Sequence, residues 1–538
     1  MRNKIIVFIF SSMFVILLIA LFKIQVLEYQ KYRTFIDSLM QKTRLVQGTR
    51  GTIFDRNGIK LAWSTNIPFI RYNRNYDFNE LKKYLTSEQV KQLITSGNVE
   101  LSQDQAKSLE KIGYDIQYKE VRNYAPYVFH VVGYVNSNNE GKYGIEKTYD
   151  DILKGKFGSE LVITSPSGKV KQKILKVPPE NGKDIYLTID YNLQKFISEE
   201  LRKIDNPGSI IVEDVTNGEI LALVSYPGIE QSINLLDTYE WRKILNDKKN
   251  PLLNRATMGL YSPGSAIKPL IAIAGLLNYS DDLPIVNCEG KFYYTNNSGK
   301  ILATYNDWLL SGHGETNLIK AIRVSCNVYF YNLALNLGID KIKSVAEIFK
   351  IDKKTGIDIP EVEGLFPDRN WKEKTLNEPW YPGDTIITGI GQGYILLTPI
   401  ELLNFYVTIA NNGKTPVPHV LKKDKIDYSN IINIDKNIWD TIKEGLIEVT
   451  SVGGDIEDRG TAYMAFKDFE IEVAGKTGTA EVGKGKLPHS WFAGFAPAQN
   501  PKYAIIVMFE NGGGGSEKAA PFARKILEFL MKGREINE

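Results

Sequence analysis

Cysteine is nearly absent: the 538 residues hold two, Cys288 and Cys326, beside four histidines. That scarcity excludes a disulfide-stapled scaffold and leaves little material for several metal or acid–base centres. Charge of one sign is missing as well. Lys+Arg number 66 against 63 Asp+Glu, a net +3, so no basic excess exists to hold a polyphosphate backbone, which argues against nucleic acid as a partner. Long apolar runs are lacking except at the start, where residues 5–22 carry Ser11 and Ser12 as their hydroxyl residues and no charge. These 18 residues at ~1.5 Å rise span ~27 Å, close to a hydrocarbon core of ~30 Å. The run ends Leu21-Phe22-Lys23 with no small-x-small cleavage site, so it reads as an uncleaved signal anchor. Arg2 and Lys4 favour a cytoplasmic tail of residues 1–4, against a weaker opposing pull from Lys23, Lys31 and Arg33. The remainder lies on one side of the membrane. With 43% apolar and 24% charged residues the chain as a whole is globular, and it is long enough for two or three domains.

What is present has a clear order. Residues 23–45 place Ile24, Leu27, Tyr32 and Phe35 at helical spacing, which predicts a juxtamembrane helix. Residues 50–58 read as a short strand closed by an Asn57-Gly58 turn. Residues 65–130 alternate charged helical stretches, such as 86–94 and 102–112, with short loops. A strand-rich piece at 160–180 ends in Pro178-Pro179 and Asn181-Gly182. Beyond it, 185–189 predicts a strand and Asp190 a cap for the amphipathic helix that follows. Residues 209–215 and 219–225 around Asn217-Gly218 form a β-hairpin signal. Further strands are expected at 469–474, 490–495 and 503–509, before a glycine run at 512–515 and a C-terminal helix. An early hairpin and late strands around a helical middle predict one antiparallel sheet flanked by helices, an α+β fold.

The chemistry concentrates in three short motifs. Ser265-Ala266-Ile267-Lys268 follows Ser262-Pro263-Gly264, so a turn delivers a serine to the start of a helix, with Lys268 one turn later on the same face. A buried lysine can lose its proton and activate that serine. Ser325-Cys326-Asn327 offers a hydroxyl to relay a proton and an amide to hold a peptide carbonyl. Lys476-Thr477-Gly478-Thr479 joins a cation and hydroxyls, suited to a carboxylate, with a glycine that lets substrate lie against a strand edge. Each motif has a decoy: Ser108 to Lys111, Ser137 to Asn139, and Lys354 to Gly356. None of the decoys has the same context, and no histidine neighbours Ser265 in sequence to support a Ser-His-Asp triad.

The order and context of these motifs, with Tyr143-Gly144-Ile145-Glu146-Lys147, Asp307-Trp308, Gly312-His313-Gly314, residues 380–385 and Gly389-Ile390-Gly391-Gln392-Gly393, resemble the class B penicillin-binding proteins of the elongation type. The resemblance runs over nearly the whole chain. It implies a transmembrane anchor at 5–22, an elongated mixed pedestal (dimerisation-like) domain at 23–182, and a transpeptidase domain at 183–538 with the penicillin-binding/serine β-lactamase-like fold. It also implies a D,D-transpeptidase of the inner membrane that cross-links peptidoglycan stem peptides during elongation and is inhibited by β-lactams. Ser265 is then the nucleophile, Lys268 the base, Ser325 the proton relay and Asn327 the holder of the substrate amide. Lys476 and Thr477 bind the terminal carboxylate, Gly478 opens the strand edge, and the backbone N–H groups of Ser265 and Thr479 form the oxyanion hole. Implied partners are a SEDS-family glycan polymerase and rod-complex scaffold proteins. Ser262 and Ala266-Ile267 depart from the proline and threonine frequent in relatives. Two other functions stay open: a β-lactamase or β-lactam-sensing receptor, for which Glu361 and Glu363 are candidates by position, and a non-catalytic wall scaffold.

Cys288, Asp307, His313 and Cys326 lie between the first two motifs and include both cysteines. Thiolate, imidazole and carboxylate suit tetrahedral zinc. Relatives are thought to carry zinc there, with a carboxylate more usual where Cys288 stands. The chemistry itself requires no cofactor. A structural zinc, a Cys288–Cys326 disulfide and two free buried thiols are all compatible with the sequence.

Overall fold

The computed structural model describes residues 2–229, 238–279 and 283–535. They form two compact units. The first comprises 1–51, 63–123 and 151–183; the second comprises 52–62, 124–150 and 184–538.

In the first unit the apolar helix Arg2–Phe22 runs on through a π-helical turn, Lys23–Leu27. Lys4–Leu27 is exposed along its length and, among the described residues, is the one helix long and apolar enough to cross a membrane. The helix Tyr29–Met40 is shorter than the expected 23–45. Residues Gln41–Gln47 leave it as a strand, which pairs antiparallel with Phe157–Thr164, itself paired with Val170–Val177. The helical spacing misled because that strand's partner lies far along the chain, Gln41 facing Ile163. Helices Ser87–Ser96 and Gln103–Lys111 form where expected, each opened by a capping box, Thr86 with Gln89 and Ser102 with Gln105. Strand pairing that the charged pattern hid accompanies them, residues 69–71 with Asn98–Glu100. Ile70, Leu81, Leu93, Leu109 and Ile116 are wholly buried in their common core.

In the second unit Ile53–Phe54 pairs with Ile185–Tyr186, and the Asp55 carboxylate accepts from the N–H groups of Asn57 and Ile59 to close the turn. The strand expected over 185–189 is therefore two residues long, followed by a bridge from Leu187 to Leu421. Asp190 caps the helix Tyr191–Ile204 as its sequence predicts. The main sheet has five antiparallel strands in the order Glu219–Tyr226, Gly208–Asp214, Tyr503–Phe509, His489–Ala496, Ala474–Ala480. The early hairpin and the late strands thus share one sheet. Helix Pro399–Ala410, buried at every position but Asn404 and capped by Thr398 and Glu401, packs on its inner strands. The strand expected at 469–474 begins instead at Ala474: Phe469 packs on Phe466 of the short helix Tyr463–Phe466, 5.9 Å between ring centroids. Lys476, Thr477 and Gly478 consequently lie inside the edge strand, which has one strand neighbour in the sheet.

Candidate active site

Ser265 lies in the 3₁₀ turn Gly264–Ile267, which passes into the helix Lys268–Tyr279. Gly264 has φ +54°, and a Cβ on it would stand 2.7 Å from the Thr479 carbonyl oxygen, so glycine is required for the turn to approach the edge strand. The turn is held from several sides. Gly264 N–H donates to the Gly391 carbonyl at 3.0 Å, the Trp491 indole to the Ser262 carbonyl at 3.1 Å, and the Ser262 hydroxyl to the Ile395 carbonyl at 3.1 Å. The Gly391-Gln392-Gly393 segment, carried in the sequence by resemblance alone, acquires a physical place here.

Lys268 is wholly buried. Its Nζ donates to the Ser325 carbonyl and to Asn327 Oδ1, both at 2.7 Å, and to Ser325 Oγ at 3.3 Å; it also lies 5.2 Å from the centre of the Phe330 ring. Burial lowers its pKa to about 8, with Asp307 and the two cysteines pulling the other way. The first two motifs are therefore one constellation. Ser325 takes a left-handed conformation, φ +58°, immediately before the long helix Asn327–Ile348, which is interrupted at Gly338.

The third motif closes the site. Gly478 lies so near the nucleophile turn that a Cβ would stand 2.9 Å from the Pro263 carbonyl oxygen and 2.9 Å from the Trp491 Cβ. The Thr479 carbonyl lies 3.5 Å from Gln392 Nε2 and so faces away from the neighbouring strand; in extended backbone its N–H points the same way. Lys476 is wholly buried, and its Nζ donates to the Thr477 carbonyl at 3.2 Å. Among the described residues no carboxylate lies within ion-pair range of it. Burial first, and then repulsion from Lys268, hold its pKa well below the usual lysine range. A lysine enclosed without a counter-ion regains its charged form most readily when a carboxylate enters beside it, so the position favours an anionic ligand. Thr477 Oγ1 shares a hydrogen bond of 2.6 Å with Thr461 Oγ1. Thr461 and Phe330 belong to no motif and were not legible as site residues.

The decoys are engaged elsewhere. Ser108 donates back to the Asp104 carbonyl within its own helix, Asn138 lies in a turn closed by Asn136, and Gly356 N–H donates to Glu361.

The second cluster also assembles. Cys288 Sγ lies 3.7 Å from Asp307 Oδ2 and 3.6 Å from His313 Nδ1, which is itself 3.6 Å from Asp307 Oδ1. All four donor atoms, Cys326 included, lie within 4.8 Å of one another, and all four residues are buried. A tetrahedral ion with bonds of ~2.0–2.3 Å needs donors about 3.3–3.8 Å apart; Cys288, Asp307 and His313 meet that spacing, Cys326 lies within 4.8 Å of each, and the four residue types suit zinc. Both cysteines are free thiols in this structure. Their mutual hydrogen bond pushes the Cys288 thiol down and the Cys326 thiol up. Asp307 Oδ2 accepts from the N–H groups of Asn327 at 2.7 Å and Val328 at 3.1 Å, which caps the helix that carries Asn327.

Residues 208–528 match the family described as the penicillin binding protein transpeptidase domain, and residues 45–187 the penicillin-binding protein dimerisation domain. The peptidoglycan D,D-transpeptidase MrdA of Haemophilus influenzae is 31% identical over 590 residues, covering 96% of this chain and 89% of its own. Among solved structures, PBP2 in complex with MreC from Helicobacter pylori superposes with a TM-score of 0.76 at 28% identity, over 92% of this chain and 100% of that one. A chain from a peptidoglycan synthase complex, solved to explain how polymerization and crosslinking are coordinated, gives a TM-score of 0.74 at 26% identity, with 98% of each chain covered.

Proposed function

The chain belongs to the class B penicillin-binding proteins of the PBP2 type, and from that premise we propose how its residues divide the work of a peptidoglycan D,D-transpeptidase. The enzyme is a serine-type acyltransferase that cross-links stem peptides and is acylated by β-lactams. Ser265 Oγ attacks the carbonyl carbon of the D-Ala-D-Ala bond, and neutral Lys268 takes its proton. The oxyanion is met by the N–H groups of Ser265 and Thr479. Ser325, hydrogen-bonded to Lys268, passes the proton to the departing D-Ala nitrogen, leaving the acyl-enzyme. A stem-peptide amine then attacks the ester, its proton returns through the same relay, and Ser265 is released. Asn327 orients the substrate amide, while Lys476 with Thr477 takes the terminal carboxylate.

One observation carries this reading: a buried Lys268 whose ammonium is held by both functional residues of the Ser-x-Asn motif. Labelled penicillin tests it. We expect one stable adduct per chain, absent in Ser265→Ala; rapid turnover of the adduct would mean a β-lactamase instead. Of the two carboxylates named for that alternative, Glu361 is engaged: it accepts from Thr355 N–H, Thr355 Oγ1 and Gly356 N–H and is not free to activate water.

The same reading places the catalytic unit on the periplasmic side of the inner membrane. Its partners are a glycan polymerase of the SEDS family and rod-complex scaffold proteins, in line with the MreC and synthase complexes of the related structures. Cys288, Asp307, His313 and Cys326 would hold a structural zinc, which when bound ties the segment before the Ser-x-Asn motif to the motif itself. Elemental analysis should find one zinc per chain, lost with a fall in Tm in His313→Ala. A chain without metal and with two titratable thiols would overturn that assignment.

A further inference from the structure

The turn that carries Ser265 is a 3₁₀ turn for a reason visible in the sequence. Pro269 has no N–H, so the Ser265 carbonyl lacks the donor four residues on that an α-helix would supply. It accepts instead from Lys268 N–H, three residues on. The consequence is geometric. At three residues per turn, positions i and i+3 eclipse, whereas at 3.6 they stand about 60° apart. Ser265 and Lys268 are i and i+3, so the 3₁₀ turn sets the nucleophile over its base.

The same proline leaves a second vacancy. A continuing 3₁₀ turn would give the Ala266 carbonyl the N–H of residue 269, and none exists. The Tyr406 hydroxyl stands there, donating to Ala266 O at 2.6 Å. Tyr406 is wholly buried on the helix Pro399–Ala410, whose first turn is fixed by the Thr398–Glu401 capping box. Burial drives its pKa well above the ordinary tyrosine value, so it remains a donor across the working range. The Tyr406 hydroxyl bonds to Ala266, and the Lys268 ammonium to Ser325 and Asn327, so Tyr406 is not a hydrogen-bond partner of the base.

We propose that Tyr406 is a positioning residue for the nucleophile: by occupying the hydrogen-bond place that Pro269 vacates, it holds the turn in the 3₁₀ form that superposes Ser265 on Lys268. The proposal rests on the assignment of those two residues as nucleophile and base. Progress curves with labelled penicillin on the full detergent-solubilised chain test it. Tyr406→Phe keeps the ring and removes the donor, and should lower the first-order acylation constant about tenfold. The dissociation constant of the initial penicillin complex should not change. In a Pro269→Ala background, where residue 269 regains an N–H, the loss should shrink, a coupling that a double-mutant cycle measures. Thr408→Val, on the same helix, removes the hydrogen bond of Thr408 with Thr415 and should lower Tm without slowing acylation. The proposal is overturned if Tyr406→Phe acylates at full rate, if its loss lies in the dissociation constant, if the loss is equal in the Pro269→Ala background, or if Thr408→Val slows acylation equally. Ser265→Ala run alongside separates the two failures. An adduct retained there overturns the nucleophile assignment itself, whereas no adduct there together with a full-rate Tyr406→Phe overturns only the role of Tyr406.

Discussion

Lys268 has to be neutral to act and cationic to be held by three oxygens, and its burial sets the balance between those demands. A lysine at its ordinary pKa of about 10.4 is neutral in about one molecule in 2,500 at pH 7, whereas one at about 8 is neutral in about one in ten. Burial of the ammonium therefore raises the population of the active base by about two orders of magnitude before any geometry is considered. The sign of the pH dependence follows: acylation needs the deprotonated form, so its rate constant should climb as pH rises from 6 and level off above about 8. Stopped-flow acylation from pH 6 to 9.5 measures this, and a flat profile would remove Lys268 as the base. At this scale the sequence was informative where chemistry repeats a motif. Ser265, Lys268, Ser325 and Asn327 were legible because order and spacing narrow the meaning of cheap tripeptides. Tyr406 and Thr461 were not, since each acts through one hydrogen bond to a residue 140 and 16 positions away, and no local pattern marks such a pairing.

Among the elements, the edge strand Ala474–Ala480 and the nucleophile turn depend on each other for position. Their contact is backbone against backbone, made through Gly264 and Gly478, so neither can accept a side chain without the other moving. Gly478→Ala would put a methyl group 2.9 Å from the Pro263 carbonyl oxygen and 3.2 Å from the Ala266 Cβ, with no flexible side-chain end to yield. The strand would have to shift by a few tenths of an ångström or more, carrying Lys476 and Thr479 with it. A misplacement of about 1 Å can cost about a hundredfold in well-oriented reactions, so a shift of a few tenths should lower acylation about tenfold while circular dichroism stays unchanged. Full-rate acylation by the folded variant would show that the strand and turn are not so tightly registered. The elements themselves were legible unevenly. The 209–225 hairpin was clear because Asn217-Gly218 encodes its turn locally. The strand Gln41–Gln47 was not, because its hydrogen-bond ladder comes from residues 157–163. The alternating apolar and acidic stretch at 469–473 looked like a strand, but Phe469 packs on Phe466 instead.

For the whole molecule, the exposed apolar helix Lys4–Leu27 and the serine site carry out separable tasks. No group in the acylation machinery comes from the first unit: Ser265, Lys268, Ser325, Asn327 and residues 476–479 all belong to the second. Acylation by a small soluble β-lactam should therefore not depend on the anchor. Cross-linking differs, because newly made glycan emerges at the membrane, and confinement there raises the local concentration of enzyme over substrate by an amount no soluble form recovers. Removing residues 2–27 should thus leave the penicillin acylation constant within about twofold of the full chain, since the reaction uses no membrane contact. The same truncation, exported by a cleavable signal peptide, should fail to restore elongation in cells depleted of the native protein. Both measurements are needed together. Loss of acylation on truncation would mean that the N-terminal helix supports the fold of the catalytic unit, and rescue of elongation by the soluble form would mean that the tether has no part in bringing the enzyme to its substrate.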